Sequence, residues 1–221
     1  MSDVYNIRLA TLEDISFLVK AIIEAEKSGT SKLGLATLFQ LTEAEVGCYL
    51  AKILEEEIDG CEFSVSSFLL ATLHGEPVAA MAGWLEGENE DKMPSALLKA
   101  NLLSYVLPSE KLIAASTLSS QLKDIQIDRE INTYQIEYVY VSPLHRGQGL
   151  TQKLIEAHKE KGLSENNSGM NKMQVQAFAN NQRAIKTYEK KGFHIVKEYR
   201  GSLDLLDYLP DNIKLLFEKI D

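Results

Sequence analysis

The sequence predicts an α/β (α+β) fold, with one mixed sheet carrying helices on its faces. Three observations predict it. Apolar residues recur at helical spacing in some segments and in short β-rich runs in others, the two kinds alternate along the chain, and no repeat, Pro/Ser-rich linker or low-complexity tract separates them. With 45% hydrophobic and 25% charged residues, 5 Pro and 13 Gly, the composition is that of a folded chain rather than a disordered or fibrous one. A length of 221 residues suits one core, and residues 1–221 are expected to form a single domain.

The elements follow from local pattern. Residues 5–9 alternate as a short strand, and the Thr11-Leu-Glu-Asp14 capping pattern then opens a helix with Ile15, Leu18, Val19, Ile22 and Ile23 on one side, ending near Ser28-Gly29. Thr42-Glu-Ala-Glu45 opens a second helix over 42–57, so two helices precede the first long strands. Residues 64–73 and 76–85 are β-rich runs around His74-Gly75, a hairpin. The second run holds Ala79, Ala80, Ala82 and Gly83, which implies that another surface approaches its backbone. An acidic loop over 86–93 leads to a helical stretch over 94–121, broken at Pro108 and read as a paired-helix insertion or lid. Strand 131–141, helix 149–164 (terminated around 165–169), strand 173–178, helix 182–191, strand 193–199 and strand 212–219 complete the chain.

Several functions are disfavoured at once. No run approaches the roughly 20 apolar residues of a membrane span. The acidic start, without an apolar stretch behind it, marks no export, so the expected compartment is the cytoplasm. Cys48 and Cys61 stand apart and are read as buried or half-buried thiols, with no disulfide and no metal site. A net charge of −9 argues against a nucleic-acid partner. The charge is divided, however: residues 142–200 hold 11 Lys and Arg against 5 Glu, a balance of +6, which leaves −15 for the remainder. A basic segment concentrates a polyanion, and an acidic body around Glu55, Asp59, Glu62 and Glu86 favours a cationic co-substrate.

Two segments carry chemistry. In the first, a buried strand ending at Val141 runs into a turn with Arg146, Gly147 and Gly149 and at once into a helix. Glycines let the backbone approach a phosphate, and the free amides and positive dipole end of the helix point at it. The turn lacks the Gly-Lys-Ser/Thr of a nucleotide P-loop, and a tight strand-to-helix turn would account for the glycines equally well. In the second, a strand delivers Asn181 to a helix start, Ala184 and Tyr188 share one helical face, and Gly192-Phe193 forms the exit.

Together, in this order, these segments resemble the GNAT superfamily of acetyl-CoA-dependent N-acetyltransferases. Arg146-Gly-Gln-Gly-Leu-Thr151 matches the family's Gln/Arg-x-x-Gly-x-Gly/Ala turn up to Thr151, which replaces a small residue and could crowd the phosphate. Asn181, Ala184, Tyr188, Gly192 and Phe193 meet its Asn-x-x-Ala-x-x-x-Tyr…Gly-Phe pattern in full, and residues 7–14 look like its first strand and helix start. The resemblance covers roughly residues 5–29, 64–85 and 131–200, leaving out the 94–121 insertion. It implies a mostly antiparallel sheet with a splayed central strand pair. It also implies that Val139, Tyr140 and Val141 bind the pantetheine arm as a strand, that the amides of Arg146, Gly147, Gln148, Gly149, Leu150 and Thr151 hold the pyrophosphate, and that Asn181 and Ala184 adjoin the cofactor. Tyr188 would protonate the departing thiolate.

The implied reaction is direct attack of an amine, on a small molecule, peptide or protein, upon acetyl-CoA. It needs a base, and Glu137, in the cofactor strand between Ile136 and Tyr138, is the candidate, against a surface or cation-binding role. On a regular strand Tyr138 and Tyr140 would lie opposite Glu137. His74, His145, His158 and His194 are read as structural, with His145 also within reach of a phosphate, and Trp84 as core or interface more than pocket wall. The alternative function is a noncatalytic acyl-CoA-binding regulatory module. Pairing of two copies through an exposed strand or the insertion is left open.

Overall fold

The computed structural model describes residues 4–89, 92–165 and 172–220. The expected helix stop at 165–169 and part of the acidic loop over 86–93 lie outside them. Seven strands form one sheet in the order β1-β2-β3-β4-β5-β7-β6. They are β1 (Asn6–Leu9), β2 (Phe68–Leu73), β3 (Glu76–Leu85), β4 (Tyr134–Val141), β5 (Lys172–Phe178), β6 (His194–Arg200) and β7 (Ile213–Ile220). Every neighbouring pair is antiparallel except β4 and β5. The helices are α1 (Ile15–Lys27), α2 (Gly34–Phe39), α3 (Glu43–Glu55), α4 (Ser95–Val106), α5 (Ser109–Ser119), α6 (Leu150–Glu165) and α7 (Gln182–Lys190). Among the described residues no helix is long and apolar enough to cross a membrane.

Each face of the sheet has its own core. On the first, Leu18 and Ile22 of α1, Leu50 and Ile53 of α3 and Leu102 of α4 pack on Phe68, Leu70, Ala80, Ala82 and Trp84. On the second, Leu154 of α6 and Ile185 and Tyr188 of α7 pack on Met81, Ile136, Val175 and Phe217. The start of α1 is fixed by Asp14, which accepts from the Thr11 amide (2.9 Å) and both Arg8 nitrogens (2.7 and 2.8 Å). That pairing holds the Asp14 carboxyl below its usual range. At α3, Glu45 and Thr42 bond reciprocally, the Thr42 amide to the Glu45 carboxylate at 2.7 Å and the Glu45 amide to the Thr42 hydroxyl at 3.2 Å.

The small residues of β3 have the cause expected of them. A Cβ on Gly83 would stand 2.5 Å from His158 Nδ1 and 2.8 Å from Tyr134 Cε1, so only glycine lets α6 settle on the strand. His158 is fully buried and uses both ring nitrogens, Nε2–H donating to the Met81 carbonyl and Nδ1 accepting from the Tyr134 hydroxyl, each at 2.9 Å.

The structure departs from expectation at five places. A third helix, α2, precedes the long strands. The run over 64–73 enters its strand through a 3-10 turn at Val65–Ser67, and strand 131–141 begins only at Tyr134 because Asn132 turns the chain with φ +62°. Cys48 is exposed, whereas Cys61 is buried and its thiol pushed up to about 11. Glu62 and Glu86 are no part of an acidic surface, being 1% exposed each and fully engaged inside the protein.

Candidate active site

The sheet opens where its two central strands meet. β4 and β5 pair only at Tyr134–Met173, Gln135–Gln174 and Ile136–Val175, after which β4 runs on for five residues and β5 for three without pairing to each other. The Ser142 amide donates to the Val78 carbonyl at 2.9 Å. By the alternation of an antiparallel ladder, Tyr140 therefore turns its main chain toward β3, while Val139 and Val141 turn theirs toward the opening. The Val141 carbonyl is met there by Arg146 Nε at 3.1 Å.

Below the opening lies the glycine turn. A 3-10 turn at Pro143–His145 leads to Gly147 and Gly149, with φ of +80° and +72°, and then to α6. Both are left-handed conformations that other residues adopt at a cost of about 1–2 kcal/mol. Gly147 and Gln148 are exposed, Gly149 and Thr151 half-buried, and Leu150 is buried as the first anchor of α6. The first amides of α6 have no partner within the helix, as at any helix start. His145 accepts or donates at 3.2 Å to the Tyr5 hydroxyl, tying the turn to β1.

Beyond the opening, Asn181 caps α7. Its Oδ1 accepts from the Ala184 amide at 3.2 Å and its Nδ2 donates to Ser28 Oγ at 2.9 Å, joining α7 to the end of α1. Tyr188 is buried between Phe193 and Phe217, with ring centroids 6.1 and 5.6 Å away. Its hydroxyl has no hydrogen-bond partner among the described residues. Burial, and then the charge of Glu137, drives its proton affinity far above that of an ordinary phenol.

Glu137 stands on the other face. Its Oε1 accepts from Arg129 at 2.9 Å and from Gln176 Nε2, and its Oε2 has no partner among the described residues. The strand reading of its neighbours needs correction, because β4 is bulged. Glu137 pairs with Ala82 and Tyr140 with Ala80, so Met81 alone faces both Tyr138 and Val139. Tyr138 adopts φ +49° at the bulge, and it and Tyr140 both pack in the first-face core, on the same side as Glu137. The Tyr138 ring stacks on Phe63 (6.0 Å, 7° between planes), and its hydroxyl reaches Glu26 Oε1 at 3.5 Å.

A buried charge network supports this face. Arg129 lies 5.0 Å over the Trp84 ring and binds Glu62, Glu137 and Ser95, while Lys99 binds Glu62 at 2.7 Å. Trp84, the Ser95 amide and the Ser95 hydroxyl all donate to Glu86, at 3.0, 2.8 and 2.7 Å. Burial alone would raise the Glu62 carboxyl, but Arg129 and Lys99 outweigh it and hold it well below the usual range. The 94–121 segment thus has a definite structural task, since α4 brings Ser95 and Lys99 to the site. Glu26, Arg129, Gln176 and Lys214 were missed in the sequence. Each sits in a different segment, and none belongs to a local motif.

Glu137 and Tyr188 thus lie on opposite faces of the sheet, with the glycine turn at the end of β4. The chain belongs to the acetyltransferase (GNAT) family, whose sequence profile matches residues 36–193. No functionally curated protein matches it. Among solved structures it resembles an N-acetyltransferase from Staphylococcus aureus, with TM-score 0.68 and 18% identity over 97% of this chain and 100% of that one. It also resembles a ribosomal-protein-alanine N-acetyltransferase from Brucella melitensis, with TM-score 0.55 and 16% identity over 98% of this chain and 99% of that one. At these identities the likeness is one of fold: a mixed, mostly antiparallel sheet with one splayed parallel pair, flanked by helices.

Proposed function

We propose that this chain is an enzyme that moves an acetyl group from acetyl-CoA to an amine of a small molecule, peptide or protein by direct attack, without a metal. The observation that carries this reading is the split between β4 and β5, with Tyr188 packed on one face of the sheet and Glu137 on the other. Such a split suits a reaction in which the nucleophile arrives on one side and the leaving group departs on the other.

The residues present fit acetyl-CoA as co-substrate, which would supply an activated acyl group. Val139 and Val141 would offer main-chain groups to the amide-rich pantetheine, as an edge strand does to a peptide. Gly147, Gly149 and the first amides of α6 would hold the pyrophosphate, and the Thr151 amide remains available beside its methyl group. Asn181 orients α7 and, through Ser28, the end of α1.

In the transfer, a C–N bond forms as the C–S bond breaks. The ammonium gives up two protons overall, one ending on the thiol and one in solvent. Glu137, through its unpartnered Oε2, receives a proton from the amine, and Tyr188 passes its own to the departing sulfur and is reprotonated from the new amide nitrogen. Glu26 is the runner-up base: burial raises its carboxyl and Tyr138 touches it.

Calorimetric titration with acetyl-CoA and dephospho-CoA, followed by an amine panel monitored by thiol release, tests the reading. Binding with amine-dependent thiol release is expected. Binding with no release from any amine would favour the noncatalytic acyl-CoA module, and no binding would overturn both.

A further inference from the structure

Inside the first-face charge network nearly every group is matched to another: Glu62 to Lys99 and Arg129, Glu86 to Trp84 and Ser95. Three polar groups around the opening are not. Gln176 gives its Nε2 to Glu137, but its Oε1 is buried without a hydrogen bond. Reversing the amide would set two acceptor oxygens against each other, so the orphan is an acceptor in need of a donor. Among the described residues Glu26 has only the long contact from Tyr138. Lys214, on β7, has no hydrogen bond or ion pair among the described residues; its ammonium lies 5.0 Å over the Phe178 ring.

The three share one side of the sheet. Phe178 pairs with Lys214 and Gln176 with Leu216, so Lys214 sits two residues along the strand direction from Gln176, about 6.6 Å at the usual rise. The charges facing Lys214 are Glu26 from α1, Glu137 and Arg129 from β4 and the segment before it, and Lys99 from α4. Burial lowers its proton affinity, with Glu137 and Glu26 opposing that effect without closing on the ammonium as ion pairs. A desolvated cation without a direct partner, beside an orphaned acceptor and a spare carboxylate, is complementary to one kind of molecule.

We propose that the acceptor is an amine bearing its own anionic group, the amine lodging against Gln176 Oε1 and Glu137 and the anion against Lys214. This rests on the acetyl-transfer reading and names the acceptor class within it. Lys214 would be the specificity-determining residue: an acceptor lacking the anion leaves the half-buried ammonium unmatched, whereas a carboxylate gains a charge-assisted hydrogen bond there. Separation between the two groups follows from the strand step, which favours an amine and carboxylate several bonds apart over an α-amino acid.

The test uses the full chain with acetyl-CoA and two matched series, ω-amino acids with three to six methylenes and the n-alkylamines of equal length. The ω-amino acids should exceed their alkylamine partners in kcat/KM by about ten- to a hundredfold, with an optimum length within the series. In Lys214→Met that ratio should collapse to within about twofold, and in Lys214→Glu it should invert in favour of diamines. Acetyl-CoA affinity by calorimetry reports that each variant is folded. Equal turnover of the two series by the native chain, or a ratio that survives Lys214→Met, would overturn the inference and leave acetyl transfer standing; acetyl-CoA binding with no member acetylated would overturn the inference and leave acetyl transfer to be decided by the wider amine panel. Failure to bind acetyl-CoA would instead remove the function on which it rests.

Discussion

His158 gives the structure a measurable acid weakness. Burial holds its imidazole down to about 3, and its two hydrogen bonds suit the neutral ring alone, since Nδ1 must accept from Tyr134. An unfolded histidine titrates near 6.5. Between these values the unfolded chain binds a proton that the native protein refuses, so stability is intact above about pH 6.5 and falls as pH drops toward 3. From pH 6.5 to 4.5 the loss works out at about 2 kcal/mol, and taking the native value a unit higher changes this little. The raised Glu26 carboxyl acts in the opposite sense over the same range, so the His158 contribution is read as a difference. His158→Gln keeps a donor for the Met81 carbonyl but removes the ring nitrogen that accepts from the Tyr134 hydroxyl, which should cost about 1–2 kcal/mol at pH 7.5. Its stability should then fall less steeply with acid, by about 2 kcal/mol over the window. Urea unfolding at pH 7.5, 6.5, 5.5 and 4.5 checks this. With a slope of about 2–3 kcal/mol per molar, the native midpoint should lose close to 1 M relative to the variant. Parallel midpoint curves for the two proteins would refute the buried neutral imidazole.

Three further outcomes follow from the site. Tyr188→Phe removes a hydroxyl without a partner among the described residues, so unfolding free energy should stay within about 0.5 kcal/mol while thiol release slows by about 10²-fold or more; unchanged turnover would end its role as acid. Glu26→Gln and Glu137→Gln separate the two candidate bases by their pH–rate profiles. A base acts deprotonated, so activity is lost as pH falls through its native value, and if Glu26 serves, that limb lies above the ordinary carboxylate range and vanishes only in Glu26→Gln. Gly149→Ala must hold φ +72°, and its new methyl meets only Gln152 Oε1 at 3.1 Å, a movable side-chain end. The strain of about 1 kcal/mol or more should therefore appear as weaker acetyl-CoA binding by calorimetry, together with a small loss of stability in urea.

What was legible in the sequence was what the chain encodes locally. The glycine turn, the Asn181 cap and the Tyr188 face are each contained in a strand-to-helix passage, and they appear in the structure as that passage. All seven strands were visible as short β-rich runs bounded by turn residues, although β2 and β3, covered on both faces, are almost continuously apolar and do not alternate. α2 was not, because six residues beginning with glycine are too short to establish a helical period. Its apolar residues serve instead to seat the insertion, with Phe39 against Leu107 and Ala115. The charge network escaped for another reason. Glu26, Glu62, Lys99, Arg129 and Lys214 come from five separated segments, and a charged residue met singly in a helix or strand looks like solvated surface until the fold removes the solvent.

The bulge in β4 shows how local regularity can mislead at a site. A regular strand separates Glu137 from Tyr138 by the thickness of the sheet, and nothing in Ile-Glu-Tyr-Val marks the interruption, since the residue at φ +49° is a tyrosine and not a glycine. That conformation costs about 1–2 kcal/mol, so it persists only because other contacts over-determine it. Phe63 stacks on the ring, Glu26 meets the hydroxyl, and on the opposite face His158 binds the carbonyl of Met81, the residue the bulge leaves facing two. The strained residue is thus clamped from α1, from the approach to β2 and, through Met81, from α6. The same turn of the chain gathers Glu137, Tyr138 and Glu26 on one face and breaks the register of β4 where its partnership with β5 has already ended. The strained residue therefore lies just past the last β4–β5 pair, at Ile136–Val175, and the bulge that strains it sets Glu137 and Tyr138 on one face beside the opening.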